Sequence, residues 1–138
     1  MLTVVLDEHL GTPALIDGLV DRDLVVLRAV DLTGEGATDD DLLAATWFLD
    51  AILVTGDVRL GRRHIFQGGR HHGGVLVVDR SSLRLSVLDP RLADLVADAL
   101  EHFEHRQQFA TLYVTRAGEI ELDWGPLPLD VLRRRTGR

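Results

Sequence analysis

Apolar residues fall into short unbroken runs separated by stretches in which they recur at helical spacing. "LTVVL" (2–6) reads as a strand, "TPALIDGLV" (12–20) as a short amphipathic helix and "LVVLRAV" (24–30) as a second strand, which makes one βαβ unit. The alternation continues with a helix in "DDDLLAATWFL" (39–49), a strand in "AILVT" (51–55), a short helix or loop over 58–67 and a strand in "GVLVVD" (74–79). "DPRLADLVADALEHFEHR" (89–106) predicts the longest helix, with Pro90 in its first turn and apolar residues at 92, 95, 96, 99, 100 and 103 on one face. "ATLYVTRAGEIEL" then predicts a strand, a turn at Gly118 and an antiparallel partner strand. Strands alternating with helices imply an α/β fold whose mainly parallel sheet is covered on both faces.

At 138 residues, 46% of them hydrophobic, the chain matches one domain with a continuous core. The expected boundaries are 1–132 for that domain and 133–138 for a mobile arginine-rich tail. No stretch reaches the roughly 18 apolar residues of a membrane span, and "MLTVVLDEHL" lacks a cationic leader. A cytoplasmic protein without a membrane partner is the expectation. Absence of cysteine excludes disulfides, thiolate metal sites and thiol nucleophiles. All 15 basic residues are arginine, so no lysine is present for a P-loop, a Schiff base or a lysine general base. The net charge of -7 argues against a surface that grips nucleic acid everywhere, and leaves room for a local basic patch.

Two acids stand where predicted strands end. Asp7 follows "TVVL" and Asp57 follows "ILVT" after Gly56, whose missing side chain lets something approach closely. In an open parallel sheet, ligands occupy the crevice beyond the carboxyl ends of the strands. Asp39, Asp40 and Asp41 open the second helix behind Thr38, Glu8 follows Asp7, and Asp79 ends the fourth strand as an auxiliary acid. Clustered carboxylates repel one another, and a divalent cation, Mg²⁺ or Mn²⁺, relieves that repulsion. Arg59, Arg62, Arg63, His64, Arg70, His71 and His72 could hold the flanking phosphates of a phosphodiester beside such an ion.

Each feature also has a structural reading. Thr38 and the acids after it form a capped helix start, Asp7 and Asp57 suit turns that end strands, and an arginine-rich helix is often a solvated face. Glu8 is expected to turn to the outer surface, because neighbours at a strand end point to different sides.

In order and spacing, "LDEHL", "TDDDLL", "ILVTGD", "GGVLVV" and "LYVTRAGEIEL" resemble the compact PIN-like domain family over nearly the whole chain. The resemblance implies a three-layer PIN-like fold and a metal-dependent endoribonuclease, typically a bacterial toxin held by a cognate antitoxin. It also implies Asp7, Asp57 and one acid of 39–41, with Asp40 the choice, as catalytic metal ligands. One departure is plain: where the family pattern places a second acid two residues after the strand-end aspartate, this chain has Arg59. The alternative is therefore a catalytically weakened module that binds RNA or an antitoxin, and a homodimer is compatible with either. A phosphoacceptor receiver domain is disfavoured by the missing lysine. Histidine metal binding through His102 and His105, one helical turn apart, lacks further ligands, and Ser81, Ser82 and Ser86 lack the glycine elbow of a catalytic serine.

Overall fold

The structure, a computed structural model, describes residues 2–34, 36, 38–60 and 71–125. Arg62, Arg63, His64 and Arg70, most of the expected helix or loop over 58–67, and the tail at 133–138 with the domain end at 132 lie outside the described residues.

Among the described residues the elements run β1 (Thr3–Leu6), α1 (Pro13–Val20), β2 (Val25–Arg28), α2 (Ala29–Thr33), α3 (Asp39–Leu49), β3 (Ala51–Thr55), β4 (Val75–Val78), α4 (Arg80–Leu83), α5 (Pro90–Leu100), β5 (Phe109–Val114) and β6 (Ile120–Trp124). The strands form one sheet in the order β2-β1-β3-β4-β5-β6. All neighbours are parallel except β5 and β6, which pair antiparallel through the turn at Gly118, where φ is +83°. That agrees with the expected α/β class and its terminal hairpin. No helix of the described residues is long and apolar enough to cross a membrane.

The central strands are apolar along their whole length because both of their faces are covered. Val4, Leu6, Ile52, Val54, Leu76, Val78, Ala110 and Leu112 face one core, shared with α1 and α5. The alternate residues Val5, Ala51, Leu53, Val75, Val77 and Phe109 face a second core with Leu43 of α3 and Ala29 of α2. The period of two in the strands thus divides one apolar run between two cores. On the first face α1 and α5 approach so closely that a Cβ at Gly18 would collide with that of Ala93. Arg22, just beyond α1, bonds Asp94, Asp98 and Glu101 at 3.2, 2.6 and 3.4 Å and fastens the same pair from outside.

Three boundaries differ from the apolar pattern. β2 stops at Arg28 instead of running through Val30, and α2 begins at once. Arg28 grips Asp31 through two bonds of 3.0 Å, which a strand would prevent by pointing the two side chains to opposite faces. α5 ends at Leu100, not at 106, and at 11 residues it only equals α3. Its end tightens through His102 N–H to Ala99 O and Phe103 N–H to Leu100 O, after which Gln108 Oε1 accepts the N–H groups of Glu104 and His105. His102 and His105 therefore lie in a turn beyond the helix. Finally, α4 is a single turn without an apolar repeat, started by the Asp79 side chain accepting from Ser82 N–H.

Candidate functional site

The chain leaves β1 and reaches β2 on one side of it, then crosses to β3 on the other. That reversal opens a crevice between the C-terminal ends of β1 and β3, the place where doubly wound sheets bind ligands. A cavity of about 490 Å³ lies there. Asp7, Glu8, His9, Gly56, Asp57 and Asp39 line it, with Arg80 on a further wall and Ala29, Val30 and Thr33 of α2 beneath.

Asp7 and Asp57 come together because β1 and β3 are direct neighbours, and the pairing continues past β1 through Asp7 N–H to Val54 O at 3.0 Å. Thr55, the buried last residue of β3, ties the two acids into one unit. Its hydroxyl donates to Asp7 Oδ2 at 2.7 Å and accepts the N–H of Asp57 at 3.1 Å. Asp7 Oδ1 accepts His9 N–H, and Asp57 Oδ1 accepts Arg59 N–H. A carboxylate offers about four acceptor directions, so the bonds on Asp7 orient it without exhausting it.

Of the acid triplet, Asp39 lines the cavity. Asp41 belongs to a capping box, accepting Thr38 N–H while Thr38 Oγ1 accepts Asp41 N–H, both at 3.2 Å. Asp40 is half-buried and does not line the cavity. The structural reading of the triplet thus holds for Asp41, and the cavity takes its neighbour two positions earlier.

Glu8 does not follow the alternation that would turn it away. Residues 8–10 form a turn, closed by Leu10 N–H to Asp7 O at 2.9 Å, which returns the exposed Glu8 to the cavity rim. Asp79 ends β4 as expected and serves as the cap of α4, off the cavity. Gly56 is not required for close approach: a Cβ there would meet Arg80 Nε and Val78 O only at 3.9 Å, an ordinary contact.

Among the expected RNA-contacting residues that are described, neither Arg59 nor His71 lines the crevice. Arg59 is exposed beside it. His71 precedes β4 and so stands at the opposite, N-terminal end of the sheet, where its ring lies 4.9 Å from Trp47. The arginine that the sequence reading missed is Arg80. Its only sequence signal is its place directly after the acid that ends β4; its approach to Asp57 depends on β3 and β4 being neighbours.

A cation at this crevice would meet chiefly carboxylate oxygens, the chemistry that suits Mg²⁺ or Mn²⁺, beside the His9 imidazole. Among the described residues no group of three or more His, Asp or Glu side chains is placed to hold a metal ion. The donor set therefore does not fit a three-ligand protein cage. It fits an ion held by one or two carboxylates with water and substrate oxygens, as Mg²⁺ commonly is, with Asp7 and Asp57 as those carboxylates. Compared with protein-family models, with curated proteins and with solved structures, the chain finds no match.

Proposed function

We propose that the crevice is the active site of a PIN-like, metal-dependent endoribonuclease that hydrolyses RNA phosphodiesters. The observation that carries this reading is the meeting of Asp7, Asp39 and Asp57, from three separate segments, around one cavity at the switch point of the sheet. A doubly wound sheet alone selects no chemistry; the acids at its mouth do. Asp7 and Asp57 hold the divalent ion, Mg²⁺ or Mn²⁺, and Asp39 faces them from the start of α3 as the third acid. When bound, the ion supplies charge neutralisation for the phosphodiester and makes water a stronger acid, the nucleophile of the reaction. Thr55 is a positioning residue, because its one hydroxyl fixes both carboxylate-bearing strand ends. In the resemblance such a domain is a toxin working in the cytoplasm and held by an antitoxin, and that partner belongs to the same proposal.

The test is a calorimetric Mn²⁺ titration of the wild type and of Asp57→Asn, followed by incubation with single-stranded RNA. Binding in the wild type, at least about tenfold weaker in the variant, together with RNA cleavage abolished by EDTA, is the expected outcome. A second reading is favoured by Arg59, which stands where the resembled pattern has another acid. In it the domain holds RNA or an antitoxin without cutting, and RNA binding undiminished in EDTA with no cleavage would install it instead.

A further inference from the structure

We propose that Arg80 is the substrate-binding residue that receives the phosphate in this crevice, an assignment that rests on the phosphodiester reading and specifies where the anion sits. Arg80 is the first residue of α4, immediately after β4, and β4 lies beside β3. Its Nε stands 3.9 Å from the point a Cβ of Gly56 would occupy, so the side chain reaches across the strand end that carries Asp57. It shares the cavity with Asp7, Glu8, Asp39 and Asp57.

Among the described residues, partial burial without a partner makes Arg80 distinctive. Arg22, Arg28, Arg91 and Arg106 hold carboxylates at 3.4 Å or less, and Arg59, Arg84 and Arg116 are exposed to water. Arg80 is half-buried among acids, yet among the described residues its guanidinium makes no hydrogen bond and no ion pair. A partly desolvated cation is costly to leave unmatched, and its planar fork of donors suits two phosphate oxygens at once. The acids repel a phosphodiester, so among the described residues the Arg80 wall is the side of the cavity on which one can rest. Arg59, exposed and outside the cavity, offers no comparable constraint.

Two probes separate this assignment from the function it refines: inorganic phosphate, followed through the arginine ¹⁵Nε resonances, and a fluorescein-labelled single-stranded RNA, followed by anisotropy across a salt series. Phosphate should shift the Arg80 resonance. Arg80→Gln should abolish that binding, weaken RNA about tenfold and reduce the slope of log affinity against log salt by about 0.7, the share of one phosphate on a single strand. Arg80→Lys should restore the slope and only part of the affinity, because it keeps the charge without the fork. Arg84→Gln, at an exposed position after the same helix, should change neither.

Unchanged phosphate and RNA binding in Arg80→Gln overturns the assignment. So does an equal loss in Arg84→Gln, or a loss of affinity with the salt slope intact and a lowered Tm, which would mark a structural role. Phosphate held through Arg80 with no RNA bound supports the assignment and overturns the RNA reading. A wild type that binds neither overturns both.

Discussion

The two ends of the central strands differ in what their polar groups bond to. At the C-terminal end, Asp7, Asp39, Asp57 and Arg80 surround open space, and the bonds of Asp7 and Thr55 aim side chains toward it. At the N-terminal end the polar groups close on one another, except that Nδ1 of buried His72 has no hydrogen-bond partner among the described residues. Thr46 Oγ1 accepts the N–H of Gly73, His72 is buried, and Arg106 lies 4.2 Å from the centre of the Trp47 ring while pairing with Asp50 at 2.9 Å. Gly73 packs so tightly that a Cβ would strike the carbonyl oxygens of Ala51 and Thr46. Both ends are rich in groups that sequence reading associates with function. Among the described residues Asp7, Asp39, Asp57 and Arg80 share one cavity, and His71 stands at the other end of the sheet from it.

The comparison predicts that changes at the closed end act on stability, and changes at the open end act on binding. Gly73→Ala should have the largest effect, about 3 kcal/mol in urea denaturation, because two backbone carbonyls must move to admit one methyl group. A neutral result would mean that the closed end is not closed. His72 comes next. Burial, reinforced by the neighbouring His71, holds its pKa below the ordinary 6.5. As pH falls the unfolded chain therefore takes up that proton before the folded one does. The contribution is complete above about pH 6.5 and is lost as pH drops toward the lower folded value, by at most about 1.4 kcal/mol per pH unit. Thermal melts should show this slope in the wild type and a flatter one in His72→Gln.

The smallest effect sharpens the comparison within one helix. Asp41→Ala should cost roughly 1 kcal/mol through loss of half the capping box and leave Mn²⁺ affinity unchanged. Asp39→Asn should weaken Mn²⁺ while leaving the urea midpoint in place. If both variants change the same quantity, the division of the acid triplet between cap and cavity is wrong.

Much of the fold was legible because the runs "LTVVL", "AILVT" and "GVLVV" can be buried on both faces only inside a parallel sheet. Asp7 and Asp57 were legible for the same reason, each being the first acid after such a run. Periodicity failed where a single polar contact overrides it. The Arg28–Asp31 pair turns an apparent strand into α2, and Gln108 draws off the N–H groups that would have carried α5 past Leu100. It could not choose among Asp39, Asp40 and Asp41 either, since all three satisfy a helix start and only the path of the preceding loop decides which one meets the cavity. Arg80 was beyond reach altogether. No local pattern tells a one-turn helix without an apolar face where its first side chain will arrive.

The strand order has one consequence for how this molecule comes into being. A chain synthesised from its N-terminus exposes Asp7 first, then the acid triplet, then Asp57, and Arg80 only after β4 has emerged. Because β3 must insert beside β1 across an intervening βα unit, the acids converge through a long crossover, the slow kind of event in folding. On the ribosome the carboxylates of the crevice are thus all synthesised before Arg80. Arg80 joins them only once β4 docks beside β3 and α4 forms after it, so the composition of the pocket is completed by the middle of the chain, with α5, β5 and β6 still to follow in sequence.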